Sequence, residues 1–369
     1  MFQKNMRALP SIISLVVTLL LASSCGRDNV ILSGAGATFP APFYSDATKL
    51  YDQLSGIKIS YGAMGSGAGI RNLEEHTVDF GGTDVFMSDS EMAEMPAEVL
   101  HIPTCIGGVV LSYNLDDVPV LNLTPDLVTD IFLGNITNWN DPALAEANPD
   151  VILPDQPITV VYRSEGSGTT AVFTGFMSQV STEWDEAIGA GKSVNFPVGI
   201  AAKGNPGVAG VIGQTVGSIG YLGSEYALAM DIVSARMQNR AGKFVEANLE
   251  TIKLSADKDL PDDTRAIISN PTHPDAYPIS TMTWVIVYKE QNYYGRSLRH
   301  VQELQKFLLF LVGEEGARSA SKTHYVPLPL SARKKAEAVI KSMTYNGEPL
   351  WAADPTEVEK NITSEINEG

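Results

Sequence analysis

Cysteine is almost absent from this 369-residue chain, which has only Cys25 and Cys105. Two cysteines build neither a disulfide framework nor a cysteine-based zinc site. Histidine is nearly as scarce. The five (His76, His101, His273, His300 and His324) are scattered, with no His-Glu-x-x-His arrangement. Each reads as a surface or packing residue, and no cofactor or metal is expected. Basic residues are also short, 26 against 43 acidic ones, for a net charge of −17. Setting aside the first 24 residues, which hold two basic and no acidic side chains, makes it −19. So acidic a surface argues against nucleic acid as a partner. Catalytic signatures are missing too. No Gly-x-Ser-x-Gly elbow surrounds Ser66 or Ser167. Gly191-Lys192-Ser193 lacks the first glycine of a P-loop, because Glu186 stands there. Gly34-x-Gly36 and Gly65-x-Gly67 lack the third glycine of a dinucleotide fingerprint, replaced by Phe39 and Ile70. With no nucleophile–base pair in view, the reading is binding and not catalysis.

The N-terminus carries a targeting signal. Lys4 and Arg7 precede an apolar run from Ile12 to Leu21, too short for a comfortable transmembrane helix and long enough for a signal peptide. Leu21-Ala22-Ser23-Ser24-Cys25 then resembles a bacterial lipobox, with leucine one place further from the cysteine than is typical. Residues 1–24 read as a lipoprotein signal peptide, Cys25 as the lipidated first residue and 25–30 as a tether. The protein is expected in the periplasm or at the cell surface, anchored to a membrane through Cys25. Cys105 lies in the apolar run Ile102 to Leu111 and reads as a buried, inert thiol.

The length suggests two domains, and 44% apolar residues suffice for real cores. Strand and helix signals alternate. Phe43, Ala47, Leu50 and Leu54 mark one face of a helix opening after Pro40 and Pro42. Ile57, Ile59 and Tyr61 alternate as a strand does. Further strands are expected at Ile106–Leu115, Ile158–Tyr162, Ile219–Leu222 and Thr283–Tyr288. Helices are expected around Val172–Val180, Val301–Val312 and Ser331–Met343. This is an α/β pattern with mainly parallel sheets.

An internal echo runs through it. Ile57-Lys-Ile-Ser-Tyr61 leads to Gly65-Ser66-Gly67 as Ile158-Thr-Val-Val-Tyr162 leads to Gly166-Ser167-Gly168. Both read as strand, three loop residues, Gly-Ser-Gly, then helix. The copies lie about a domain's length apart, which suggests one turn per lobe facing a shared cleft. Glycines let backbone approach a ligand, and a helix's first N–H groups and dipole favour an anion. In the second turn Ser167 and Thr169 add hydroxyls, Arg163 adds a two-pronged fork, and Glu165 is placed to steady it. The alternative is an ordinary capped helix with a surface arginine. Gly34-Ala-Gly-Ala-Thr-Phe-Pro40 is a third glycine-rich turn. Asp84, after Phe80-Gly-Gly-Thr83, reads as a turn residue or as a selector. A carboxylate repels an oxyanion unless the anion brings a proton, which phosphate has near neutral pH and sulfate does not. Asp79 reads as structural.

Four motifs together make the chain resemble the periplasmic phosphate-binding proteins (PstS) of phosphate ABC transporters. They are Gly34-Ala-Gly-Ala-Thr-Phe-Pro-Ala-Pro42, Gly65-Ser66-Gly67, Thr77-Val-Asp-Phe-Gly-Gly-Thr-Asp84 and Arg163-Ser-Glu-Gly-Ser-Gly-Thr169. The resemblance runs from about Ile31 to the C-terminal helix. It implies phosphate contacts at Thr38, Phe39 (through its backbone N–H), Ser66, Asp84, Arg163, Ser167, Gly168 and Thr169, with Glu165 where the family often has a supporting aspartate. It implies a two-lobed, class II periplasmic binding protein fold with two crossing strands that hinges shut on its ligand. Lobe 1 would span 31–105 plus 279–369 and lobe 2 106–278, the chain crossing near Cys105 and returning near Ile279. The implied partners are inorganic phosphate and ABC permease subunits. A phosphatase or phosphotransferase using the same cradle, and a phosphate-sensing or adhesion protein, are the alternatives.

Overall fold

The computed structural model describes residues 30–256 and 259–350. The expected signal peptide, Cys25 and nearly all of the expected tether lie outside the described residues. Strand β1 (Ile31–Gly36) pairs in parallel with β2 (Lys58–Ala63) and β3 (Phe80–Thr83). Helix α1 (Ala41–Ser55) links β1 to β2, and α2 (Ser66–Glu74) links β2 to β3. Pro40 caps α1, Pro42 sits in its first turn, and Gly56 ends it at φ 71°, the left-handed conformation glycine tolerates best. Its buried face is Phe43, Tyr44, Ala47 and Tyr51, while Leu50 and Leu54 are only half-buried. Tyr44 can take the inner stripe because its hydroxyl finds a partner there, Thr104 at 3.0 Å.

Two long strands tie the molecule together. β4 (Val99–Tyr113) begins well before the expected Ile106, through His101, Pro103 and Thr104. Pro103 is accommodated where the register slips opposite Thr283 and Trp284. From Val99 to Gly108, β4 pairs antiparallel with the strand Ser280–Tyr288, and from Val109 to Tyr113 with the strand Ser218–Gly223. In chain order the remaining strands of this sheet are β5 (Thr159–Arg163), β6 (Ile200–Ala202), β7 (Ser218–Gly223), β8 (Ser280–Tyr288) and β9 (Val326–Pro327). The order across the described sheet is β2-β1-β3-β8-β4-β7-β5-β6, with β9 on the side of β4. Parallel pairing holds at β2-β1-β3 and at β6-β5-β7. The connecting strands run antiparallel to their neighbours, since a chain that leaves one strand group and returns must reverse direction.

The passage between groups falls at Gly108 and Val109, where the Val109 N–H donates to the Ile279 carbonyl at 2.8 Å. Cys105 lies earlier on β4, fully buried, opposite Thr283 and Pro327. Burial pushes its thiol well up, as an inert core cysteine requires. Helices α7 (Leu298–Val312) and α8 (Leu330–Lys341) pack with the first group, and α3 (Asp89–Glu94) joins it through Met92. Helices α4 (Gly168–Val180), α5 (Gly204–Gln214) and α6 (Ser224–Ala229) cover the second. Asp79 is a tie within the first group: it accepts from the Ser33 N–H at 2.7 Å, from Arg296 at 2.6 Å, and pairs with His300 at 2.7 Å. Burial alone would raise its carboxyl, but these partners outweigh it and hold it below the ordinary range.

Candidate functional site

Both Gly-Ser-Gly turns leave a strand and open a helix, and they pack on one another. The Gly67 N–H donates to the Gly166 carbonyl at 3.0 Å. Gly65 holds φ 101°, and a Cβ there would fall 2.9 Å from the Gly166 carbonyl oxygen, so backbone conformation and space both demand glycine. Ser167 caps α4, its hydroxyl accepting from the Thr170 N–H at 3.0 Å. Gly168, the first residue of α4, lies so close to the other turn that a Cβ would meet Ser66 Oγ at 2.4 Å and Asp84 Cβ at 2.7 Å. The Ser66 hydroxyl accepts from the Gly168 N–H at 3.1 Å and the Asp84 N–H at 3.3 Å, joining the two strand groups.

Arg163 ends β5 and is only 6% exposed. Its Nη2 donates to Thr38 Oγ1 at 3.1 Å and its Nη1 to Thr169 Oγ1 at 3.2 Å. Its Nε donates to Glu165 Oε1 at 3.0 Å, and Glu165 is itself held by the Gly204 N–H at 3.0 Å. The longer glutamate therefore orients the guanidinium while taking support from α5. Thr38 follows β1, so the guanidinium spans the strand groups. The Phe39 ring is fully buried, edge-on to Tyr325 at 6.0 Å.

Asp84, at the end of β3, is 1% exposed. Its Oδ1 accepts from Thr283 Oγ1 at 3.2 Å and its Oδ2 from Thr169 Oγ1 at 3.4 Å. Burial pushes its carboxyl up to about 7, against the downward pull of the Arg163 charge and the Thr283, Thr169 and Ser66 hydroxyls. Thr38, Ser66, Asp84, Arg163, Ser167, Gly168 and Thr169 are thus gathered from turns far apart in the chain. The set offers one fixed cation, several hydroxyls, two helix N-termini and one proton-accepting carboxyl. Chemically that suits a small oxyanion that carries a proton.

The sequence reading missed Asn205. It is fully buried at the start of α5, its Oδ1 accepts from the Gly223 N–H at 3.0 Å, and its Nδ2 reaches Thr38 at 3.0 Å and Thr169 at 3.2 Å. Nothing local in Gly204-Asn205-Pro206 says that the amide turns inward. Tyr226, whose hydroxyl donates to the Thr38 carbonyl at 2.5 Å, was missed for the same reason. The histidines pack elsewhere. His101, for example, is buried and accepts from the Met87 N–H at 3.0 Å, and burial pushes its ring down to about 4.

Residues 22–315 match the model of a PBP superfamily domain. The chain is 39% identical over 315 residues to the phosphate-binding protein PstS of Xylella fastidiosa strain 9a5c, an alignment covering 84% of this chain and 85% of the relative. To PstS of Pasteurella multocida it is 35% identical over 332 residues, covering 87% and 93%. Among solved structures, a phosphate-binding protein from Stenotrophomonas maltophilia superposes with a TM-score of 0.64 at 20% identity, covering 84% of this chain and 93% of the other. A putative phosphate ABC transporter substrate-binding protein from Clostridium perfringens, with bound phosphate, gives 0.60 at 19% identity, covering 81% and 100%. At such identities these structures speak for the fold, which is the two-lobed periplasmic binding protein fold.

Proposed function

The chain belongs to the PBP superfamily and, within it, to the PstS family, and from that premise we propose that it binds inorganic phosphate outside the cytoplasmic membrane and delivers it to an ABC importer. Its family is one of solute-binding proteins and not of enzymes. One observation carries the reading for this chain. A buried arginine spans the two strand groups to Thr38 and Thr169, and a buried carboxyl, Asp84, shares Thr169 with it. Arg163 supplies charge and two parallel donors, and Glu165 holds its plane. Thr38, Ser66, Ser167 and Thr169 supply hydroxyls, and the N–H groups of Phe39, Gly168 and Thr169 complete the cage. Asp84 accepts the proton that distinguishes phosphate from sulfate. Capture exchanges water for these donors, and no bond is made or broken.

The same reading makes residues 1–24 a signal peptide and Cys25 a lipid anchor, so that the protein works while tethered to a membrane and passes phosphate to permease subunits. The strand passage at Gly108–Val109 beside Ile279 supports a division into a first lobe of 31–105 plus 279–369 and a second of 106–278. Titration calorimetry with phosphate, arsenate and sulfate tests the function. Phosphate binds tightly, arsenate competes because it carries the same proton, and sulfate does not. Arg163→Ala abolishes tight binding with the fold retained. Sulfate bound as well as phosphate, or unchanged affinity in the alanine variant, would overturn the assignment.

A further inference from the structure

A second buried carboxyl lies close to this site. Glu225 is 3% exposed in the first turn of α6, and neither of its oxygens has a hydrogen-bond partner. It folds back over Gly223, where a Cβ would meet its Oε1 at 2.1 Å. Gly223 pairs with Val109, at the passage of β4 between the strand groups, and its N–H orients Asn205. The next residue, Tyr226, donates to the Thr38 carbonyl, and Tyr325, which stands beside Glu225, donates to the Phe39 carbonyl. Glu225 therefore sits between two tyrosines that hold the first lobe's Thr38 and Phe39.

The titratable groups facing it are Cys105 on β4, Asp84 after β3, Tyr226 on α6 and Tyr325 before β9. All are acids, so none carries a positive charge to set against a carboxylate there. An unpaired carboxylate so enclosed carries the full desolvation cost of its charge, and the neutral form avoids that cost.

We propose that Glu225 is a proton-linked positioning residue for phosphate capture: the arrangement that brings Arg163 to Thr38 requires a neutral Glu225 carboxyl, so that closing on phosphate takes up a proton. Burial pushes this carboxyl up to about 8; its own N–H and the Tyr325 hydroxyl, both near it but outside hydrogen-bonding geometry, oppose the rise only weakly, and Asp84 adds to it. When the lobes part and water reaches it, its value falls toward the ordinary carboxyl range of about 4.3. The closed arrangement therefore has the full contribution below about 4.3, and loses it as pH climbs toward about 8.

This inference rests on the phosphate reading, and the experiment separates the two. Phosphate dissociation constants are measured by calorimetry for the wild type and Glu225→Gln, from about pH 5.5 to about pH 8.5. Their ratio cancels the titration of phosphate itself. The wild-type constant should rise relative to the variant's by about tenfold or more across that range, whereas a flat ratio with binding intact overturns this inference alone. A wild-type arm needs no variant. Near pH 8, roughly where phosphate is already dianionic, titrations in two buffers of different ionisation heat report proton uptake. Uptake of a sizeable fraction of a proton is expected, and none, or release, overturns the proposal. Absence of phosphate binding altogether removes the function and this inference with it.

Discussion

In the proposed site, selectivity turns on a single proton at Asp84. With its carboxyl near 7, Asp84 is ionised above that value and neutral below it. The ionised form accepts from a protonated oxyanion and repels a bare one, and the neutral form can donate to either. Sulfate should therefore bind the wild type more strongly as pH falls through about 7. Asp84→Asn, which donates at every pH, should bind sulfate without that dependence, with a phosphate-to-sulfate ratio about tenfold or more below the wild type's, one charged hydrogen bond being worth roughly 1.5–3 kcal/mol. Competition calorimetry checks both, and an unchanged ratio in the variant would sink the proton argument. Asp84 could be picked out in the sequence because it follows a strand-like run ending in small residues. Its burial could not, because Thr281, Thr283 and Thr169, which surround it, are remote in the chain.

The helical elements make the cradle, and α4 is the one most exposed to test. Gly168 has ordinary backbone freedom to be alanine, and alanine favours a helix; what forbids it is Ser66 and Asp84 across the gap. Gly168→Ala should hold the two turns apart and weaken phosphate binding by about 10–100-fold, the scale of a 1–3 kcal/mol overpacking cost, with little change in thermal midpoint. Unaltered affinity would show that the turns have slack. Elements were readable where the periodicity was local. Helices α1, α4, α7 and α8 and the strands β2, β5, β7 and β8 stand within a few residues of their sequence signals. β4 was not, because its first half carries His101, Pro103 and Thr104, which look like a loop until the neighbouring strands bury them. The antiparallel pairing of β4 and β8 was equally invisible, being a property of how the chain returns and not of either strand.

At the scale of the whole molecule, the proposed capture draws on contacts between two strand groups. Besides Arg163 and the stacked turns, Lys192 pairs with Glu91 of α3, while its backbone carbonyl accepts from the Ser167 N–H at 2.8 Å. The pair is partly open to solvent, with the side chains 19% and 38% exposed, so its contribution is that of a screened surface ion pair, about 0–1 kcal/mol. Lys192→Ala should weaken phosphate binding by no more than about fivefold, mostly through faster release, and the loss should fade at high salt. A double-mutant cycle with Glu91→Ala reads the coupling. Zero coupling energy would make the pair incidental to closure.

The class of chemistry was legible in the chain without its fold. Glycines before helix N-termini, an arginine beside one of them, a carboxylate after small residues and a family's four motifs are all local, and local backbone rules decide what they do. Tertiary structure alone decided how these pieces meet. The packing of one Gly-Ser-Gly turn on the other, the inward amide of Asn205 and the enclosure of Glu225 depend on surfaces contributed by distant segments. A side chain's burial and its proton affinity are set by whatever packs around it, and no window of neighbouring residues contains that information.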